Sequence, residues 1–143
     1  MLIGEFRHTI DVKKRLALPA KFRKELGETV IITRGLDNCL VVYPEKEWVT
    51  VSDKLGKLPS GQIEARGFAR IMLAGAMAVE LDKLGRILVP DYLKNYANLV
   101  KNVVVCGLNN RLEIWDAENW DVYRKKVEGE IGDMAGKLKE LGI

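Results

Sequence analysis

Two short segments of the chain set a carboxylate and a guanidinium four residues apart: Asp11 with Arg15, and Asp82 with Arg86. In each, a proline follows the arginine by four residues, Pro19 and Pro90. A guanidinium just past a turn presents a planar fork of five N–H donors, able to take guanine O6 and N7 bidentately, or a phosphate. The carboxylate across the turn can hold that fork in one orientation, so that less freedom is lost on binding. The bland role is to brace the turn. Exposed ion pairs contribute little on their own, which is a weak reason to have two.

The surroundings of the two pairs differ in charge. Residues 5–24 carry Arg7, Lys13, Lys14, Arg15, Lys21, Arg23 and Lys24 against Glu5 and Asp11. In a chain of net charge +3, that segment reads as a polyanion-binding footprint or as a solvated face. Arg15 is assigned to base edges, and Arg7, Lys13 and Lys14 to phosphates or groove edges, with Asp11 orienting Arg15. Around the second pair, Lys83, Arg86 and Lys94 are balanced by Glu80, Asp82 and Asp91. The asymmetry predicts that the first segment faces DNA and the second mainly completes the fold.

Little else could carry chemistry. His8 is the only histidine, and there is no nucleophile–His–Asp set, HExxH or phosphate-binding glycine loop. The expectation is therefore no enzyme, no metal, no cofactor and no small-molecule substrate. Cys39 and Cys106 sit in apolar runs, the usual place of buried reduced thiols. No apolar run approaches the ~20 residues that span a bilayer, and the start lacks signal-peptide character, so a cytoplasmic protein is expected.

The elements that position the pairs come from an internal repeat. Asp11, Arg15 and Pro19 recur at Asp82, Arg86 and Pro90, all at an offset of 71. Gly35-Leu36-Asp37-Asn38 recurs as Gly107-Leu108-Asn109-Asn110 at an offset of 72, and Trp48 and Trp120 close each copy. Each copy reads as a short strand, a turn, a second strand, a short helix opened by proline, and two strands joined by a tight turn. A unit this small cannot bury a sufficient core. The two copies must pack together, and a pseudo-two-fold β-barrel of α+β class is expected. The division is 5–48 for the first copy, 49–75 for a helical spacer, 76–120 for the second copy and 121–143 for a C-terminal amphipathic helix. From the end of the second copy through that tail, Trp120, Val127, Met134 and Leu141 recur every seven residues, a stripe for the barrel or for a neighbouring subunit.

The doubled Asp-x-x-x-Arg-(x)3-Pro turn and the Gly-Leu-x-Asn hairpin resemble the MraZ family of small bacterial regulators. Each half is similar to the swapped-hairpin AbrB/SpoVT DNA-binding unit. The resemblance implies a nucleoid-associated repressor of the division and cell-wall gene cluster, acting on repeated promoter sites as a ring-like homo-oligomer. Its DNA-binding motif falls on Asp11 and Arg15, and on Asp82 and Arg86. One departure is Lys14, where the second copy has Gly85. The rival reading is a protein-interaction, antitoxin-like scaffold acting through the C-terminal helix.

Overall fold

The computed structural model describes residues 1–143. The strands are β1 (Leu2–Thr9), β2 (Arg15–Ala17), β3 (Thr29–Arg34), β4 (Leu40–Pro44), β5 (Met77–Glu80), β6 (Arg86–Leu88), β7 (Asn102–Asn109) and β8 (Leu112–Asp116). The helices are α1 (Arg23–Leu26), α2 (Glu45–Gly56), α3 (Ile63–Ala74), α4 (Asp91–Tyr96), α5 (Ala117–Glu130) and α6 (Ala135–Glu140).

Six strands form one antiparallel sheet in the order β1-β7-β8-β4-β3-β5, and β2 and β6 form a separate two-stranded ribbon. Each copy lends its first strand to the other: β1 pairs with β7, and β5 with β3. The ribbon also joins the copies, Leu16 standing opposite Ile87. Two further hydrogen bonds are related by the repeat. Leu18 N–H donates to the Gly85 carbonyl at 3.0 Å, and Val89 N–H to the Lys14 carbonyl at 2.9 Å.

The expected barrel does not close: β1 and β5 are the edges of the large sheet. Pro19 and Pro90 stand two residues past the ribbon strands, and proline has no N–H to extend a ladder. The ribbon therefore stays three residues long and covers the sheet instead of bridging its edges.

Alternation along the strands separates two cores. Val30, Ile32, Val103, Val105, Leu112 and Ile114 belong to one buried cluster with Leu16 and Ile87 of the ribbon and Leu93 of α4. On the other face Cys39, Val104, Cys106 and Trp115 pack with Ala117 and Trp120 of α5. The spacer helices share that second face. Trp48 of α2 meets Tyr43 at 5.6 Å between ring centroids, and the buried Thr33 hydroxyl donates to the Met72 carbonyl of α3 at 2.7 Å. Helices α2, α3 and α5 thus lie on one side of the sheet, and the ribbon with α1 and α4 on the other.

Both hairpin turns rest on left-handed residues. The left-handed residues are Asp37 (φ 61°), Asn38 (φ 59°) and Asn109 (φ 71°), not the glycines. Gly107 serves another purpose, since a Cβ there would stand 2.7 Å from the backbone of Leu2 and Ile3. It lets β1 approach β7. The C-terminal segment is two helices, not one, parted at residues 131–134 around Gly132, where glycine weakens helix continuation. No helix is long and apolar enough to cross a membrane.

Candidate nucleic-acid interface

The two carboxylate–guanidinium pairs form, and they form alike. Asp11 Oδ1 accepts the backbone N–H groups of Lys13 and Arg15, each at 2.9 Å, while Oδ2 accepts Arg15 Nε at 2.9 Å. Asp82 Oδ1 accepts Leu84 and Arg86 N–H, each at 2.9 Å, and Oδ2 accepts Arg86 Nε at 2.7 Å. One carboxylate therefore shapes the turn with one oxygen and aims the guanidinium with the other. Binding through Nε leaves the terminal nitrogens of both arginines without a protein partner within hydrogen-bond distance. The backbone N–H of Arg15, ahead of its side chain, holds the Asp11 carboxyl below the usual aspartate range, and Arg86 does the same for Asp82; desolvation opposes both.

The sign of the pH dependence follows. A depressed carboxylate pKa contributes stability above the ordinary value of about 3.9, lost as the pH falls through the lower folded value. In thermal melts across acid pH, Asp11→Asn with Asp82→Asn lies below the native chain at neutrality, and the gap closes below about pH 4. A gap that widens in acid would contradict the pairing.

Lys14 does not distort its turn. It takes φ 65°, where Gly85 takes φ 73°, and its N–H reaches the Asp11 carbonyl at 3.0 Å as Gly85's reaches Asp82's at 2.9 Å. A lysine there bears a left-handed backbone that glycine adopts freely. Its Nζ bonds Asp91 Oδ2 of α4 at 2.7 Å. The reverse exchange would displace a neighbour, because a Cβ on Gly85 would meet the Arg23 guanidinium, which donates to the Leu18 carbonyl at 3.1 and 3.3 Å.

Ribbon register brings the two arginines to one surface. Arg15 stands opposite Leu88, and Ala17 opposite Arg86, so these four side chains share a face. Leu16 and Ile87 point the other way and are fully buried. Arg15 and Arg86 are diagonal neighbours, roughly 7–8 Å apart along the backbone, with side chains 34% and 27% exposed. Lys13 and Lys83 are exposed in the flanking turns. Charge sets the two copies apart, but the geometry of the two pairs does not. Both pairs face outward together.

Arg7 is not brought to this surface. It stands opposite Val104, on the helix-covered side of the sheet, and grips Asp121 of α5 at 2.6 and 3.4 Å. Period-two alternation from the inward Phe6 and Ile10 carries the signal that would have placed it there. His8 lies on the ribbon side, opposite Val103, its pKa lowered by burial and then by Arg23. Cys39 and Cys106 are buried free thiols, Cys106 pushed up to about 12 by burial and Cys39 still higher. Sequence reasoning missed Leu88, a leucine held outward between the arginines.

Residues 1–71 and 72–134 each match the family described as "MraZ protein, putative antitoxin-like". The chain is 47% identical over 143 residues to a transcriptional regulator MraZ of Natranaerobius thermophilus, the match covering all of both chains. It is 50% identical over 143 residues to that of Caldicellulosiruptor saccharolyticus, again covering all of both. To that of Desulforamulus reducens it is 48% identical over 141 residues, 99% of each.

Proposed function

The chain belongs to the MraZ family, and we propose that it is a DNA-binding transcriptional regulator whose β2–β6 ribbon enters the major groove. The observation that carries this reading is the pair of carboxylate-aimed guanidiniums on one outward face. Arg15 and Arg86 read guanines about two base-pair steps apart, given a rise of about 3.4 Å per step. Asp11 and Asp82 aim them. Lys13, Lys83 and, once released from Asp91, Lys14 meet phosphates. Nothing in this scheme needs a cofactor, and the reading is of a regulator and not an enzyme.

The finer reading is a repressor, in the cytoplasm and on the nucleoid, of the division and cell-wall gene cluster. Each copy, 5–48 and 76–120, is taken as an AbrB/SpoVT-like swapped-hairpin unit, with 49–75 as spacer and 121–143 as tail. The exchange of β1 and β5 between copies supports it. A ring-like homo-oligomer fits the unpartnered edges β1 and β5 and the outward Val49, Ile63, Ile71 and Val122, 48–74% exposed. Several ribbons on one ring then meet successive promoter repeats, and weak single contacts combine through effective concentration.

The test is binding to a fragment from just upstream of the chain's own gene, against a scrambled fragment, at two salt concentrations. Preference for the native fragment, weakening with salt, is expected. Equal weak binding to both would contradict sequence reading. The rival scaffold reading would gain if charge reversal at Lys13, Lys14 and Arg15 left activity in the cell intact.

Two single substitutions separate phosphate contacts from bystanders. Lys13→Ala weakens binding to all sequences alike and lowers the salt slope by about one, whereas Arg7→Ala leaves the slope unchanged. A titration series in salt measures both, and a shallower slope for Arg7→Ala would put the helix face on DNA.

A further inference from the structure

Of the four side chains on the ribbon's outer face, one is large and apolar. Leu88 is 54% exposed, while its sequence neighbours Ile87 and Val89 are fully buried. It belongs to neither buried cluster. Its cross-strand partner is Arg15, which sets the two side chains about 5 Å apart at Cβ, and Arg86 stands two residues back on its own strand. The repeat position matching Leu88 is Ala17, whose single methyl cannot reach as far.

Resting on the DNA reading above, we propose that Leu88 is a specificity-determining contact for the 5-methyl group of a thymine within one base-pair step of the guanine taken by Arg15. In the major groove the base edges offer hydrogen-bond donors and acceptors and one apolar feature, the thymine methyl. A leucine beside a guanine-reading guanidinium reaches the neighbouring step, because its side chain can span the difference between the ~5 Å cross-strand spacing and the ~3.4 Å rise per step. The two arginines are related by the repeat. Between them, the difference between Leu88 and Ala17 is what gives the ribbon a direction. A chain built this way reads a polar element, thymine on the Arg15 side, and not a palindrome.

The experiment replaces thymines of the own-promoter fragment by deoxyuridine, one position at a time, which removes the 5-methyl group and leaves pairing intact. The native chain should lose about fourfold in affinity per site at one thymine beside a guanine, the equivalent of one methyl's burial at about 0.8 kcal/mol. Leu88→Ala should bind the thymine fragment about fourfold more weakly and be indifferent to the same deoxyuridine. Leu88→Met, which keeps an apolar reach, should retain the sensitivity. Because the side chain stands in solvent, melting temperatures of both variants should match the native chain and show that they fold. A native chain indifferent to every deoxyuridine, or a Leu88→Ala variant still sensitive to one, would overturn the assignment. Binding that survives Arg15→Ala unchanged in the same assay would overturn the DNA reading itself. Binding that needs Arg15 yet ignores the methyl overturns the role of Leu88 alone.

Discussion

Replacing Arg15 by alanine removes discrimination between the native promoter fragment and a scrambled one, and Arg86→Ala has an effect of the same order. Each bidentate arginine–guanine contact is worth ~1–3 kcal/mol of discrimination, roughly fivefold to more than a hundredfold per ribbon. In an oligomer engaging several repeats the loss compounds. The equivalence of the two substitutions is the part that structure contributes. From charge alone the Arg86 segment is neutral, and its arginine would count for less. The register puts Arg86 opposite Ala17 and Arg15 opposite Leu88, on one face, with Nε of each held by its own aspartate. Titrations of both variants against both fragments measure the effect. A normal Arg86→Ala variant would show that a single copy reads DNA. Residual nonspecific binding should persist in either case, because the lysines of the turns remain.

The second large effect is on stability and comes from beneath the ribbon. Ile87 is fully buried and belongs to the main core cluster together with Leu16. Ile87→Ala deletes three carbon atoms from a site walled by the sheet on one side and its own ribbon on the other. Such sites lose ~2–5 kcal/mol on truncation to alanine, according to how far the walls can relax. For a chain of this size the melting temperature should fall by on the order of 10 °C. The fall tests the layer order directly. If the ribbon were a loose flap, Ile87→Ala would melt with the native chain, and the arginines would have no rigid floor to be aimed from.

How far these features were legible in the residues depends on their range. The turns were legible because their chemistry is local. An aspartate opening a turn, with an arginine four residues on, can satisfy two backbone donors and one guanidinium nitrogen, and both copies do so. Whether the pair would touch was not decidable from spacing, since an exposed side chain can choose water. Strand positions were legible to within a few residues from alternation and turn residues. The exchange of first strands between copies was not, because which strand pairs with which is a non-local choice that local pattern leaves open.

Barrel closure was expected from the need to share a core. The prolines that were read as helix starters also stop the ribbon ladders, and the sheet stays open. Arg7 was grouped with the other cations by proximity in sequence. One residue of offset along a strand is enough to send it to the opposite side of the sheet, where Asp121 takes it. Gly107 of the second hairpin serves by having no side chain against β1, a close approach between strands that its turn sequence does not reveal.

The central claim is that the outer face of the ribbon is the surface that meets DNA, and site-directed cross-linking measures it most directly. Ala17→Cys places a thiol between the arginines on that face, while Cys39 and Cys106 are buried and do not compete. Lys125→Cys places an exposed thiol on α5, across the sheet. Each is mixed with the promoter fragment carrying a thiol-tethered base within the bound repeat. The expected result is a disulfide cross-link from Ala17→Cys and none from Lys125→Cys. A cross-link from Lys125→Cys with none from Ala17→Cys would place DNA on the helical face and contradict the ribbon as reader.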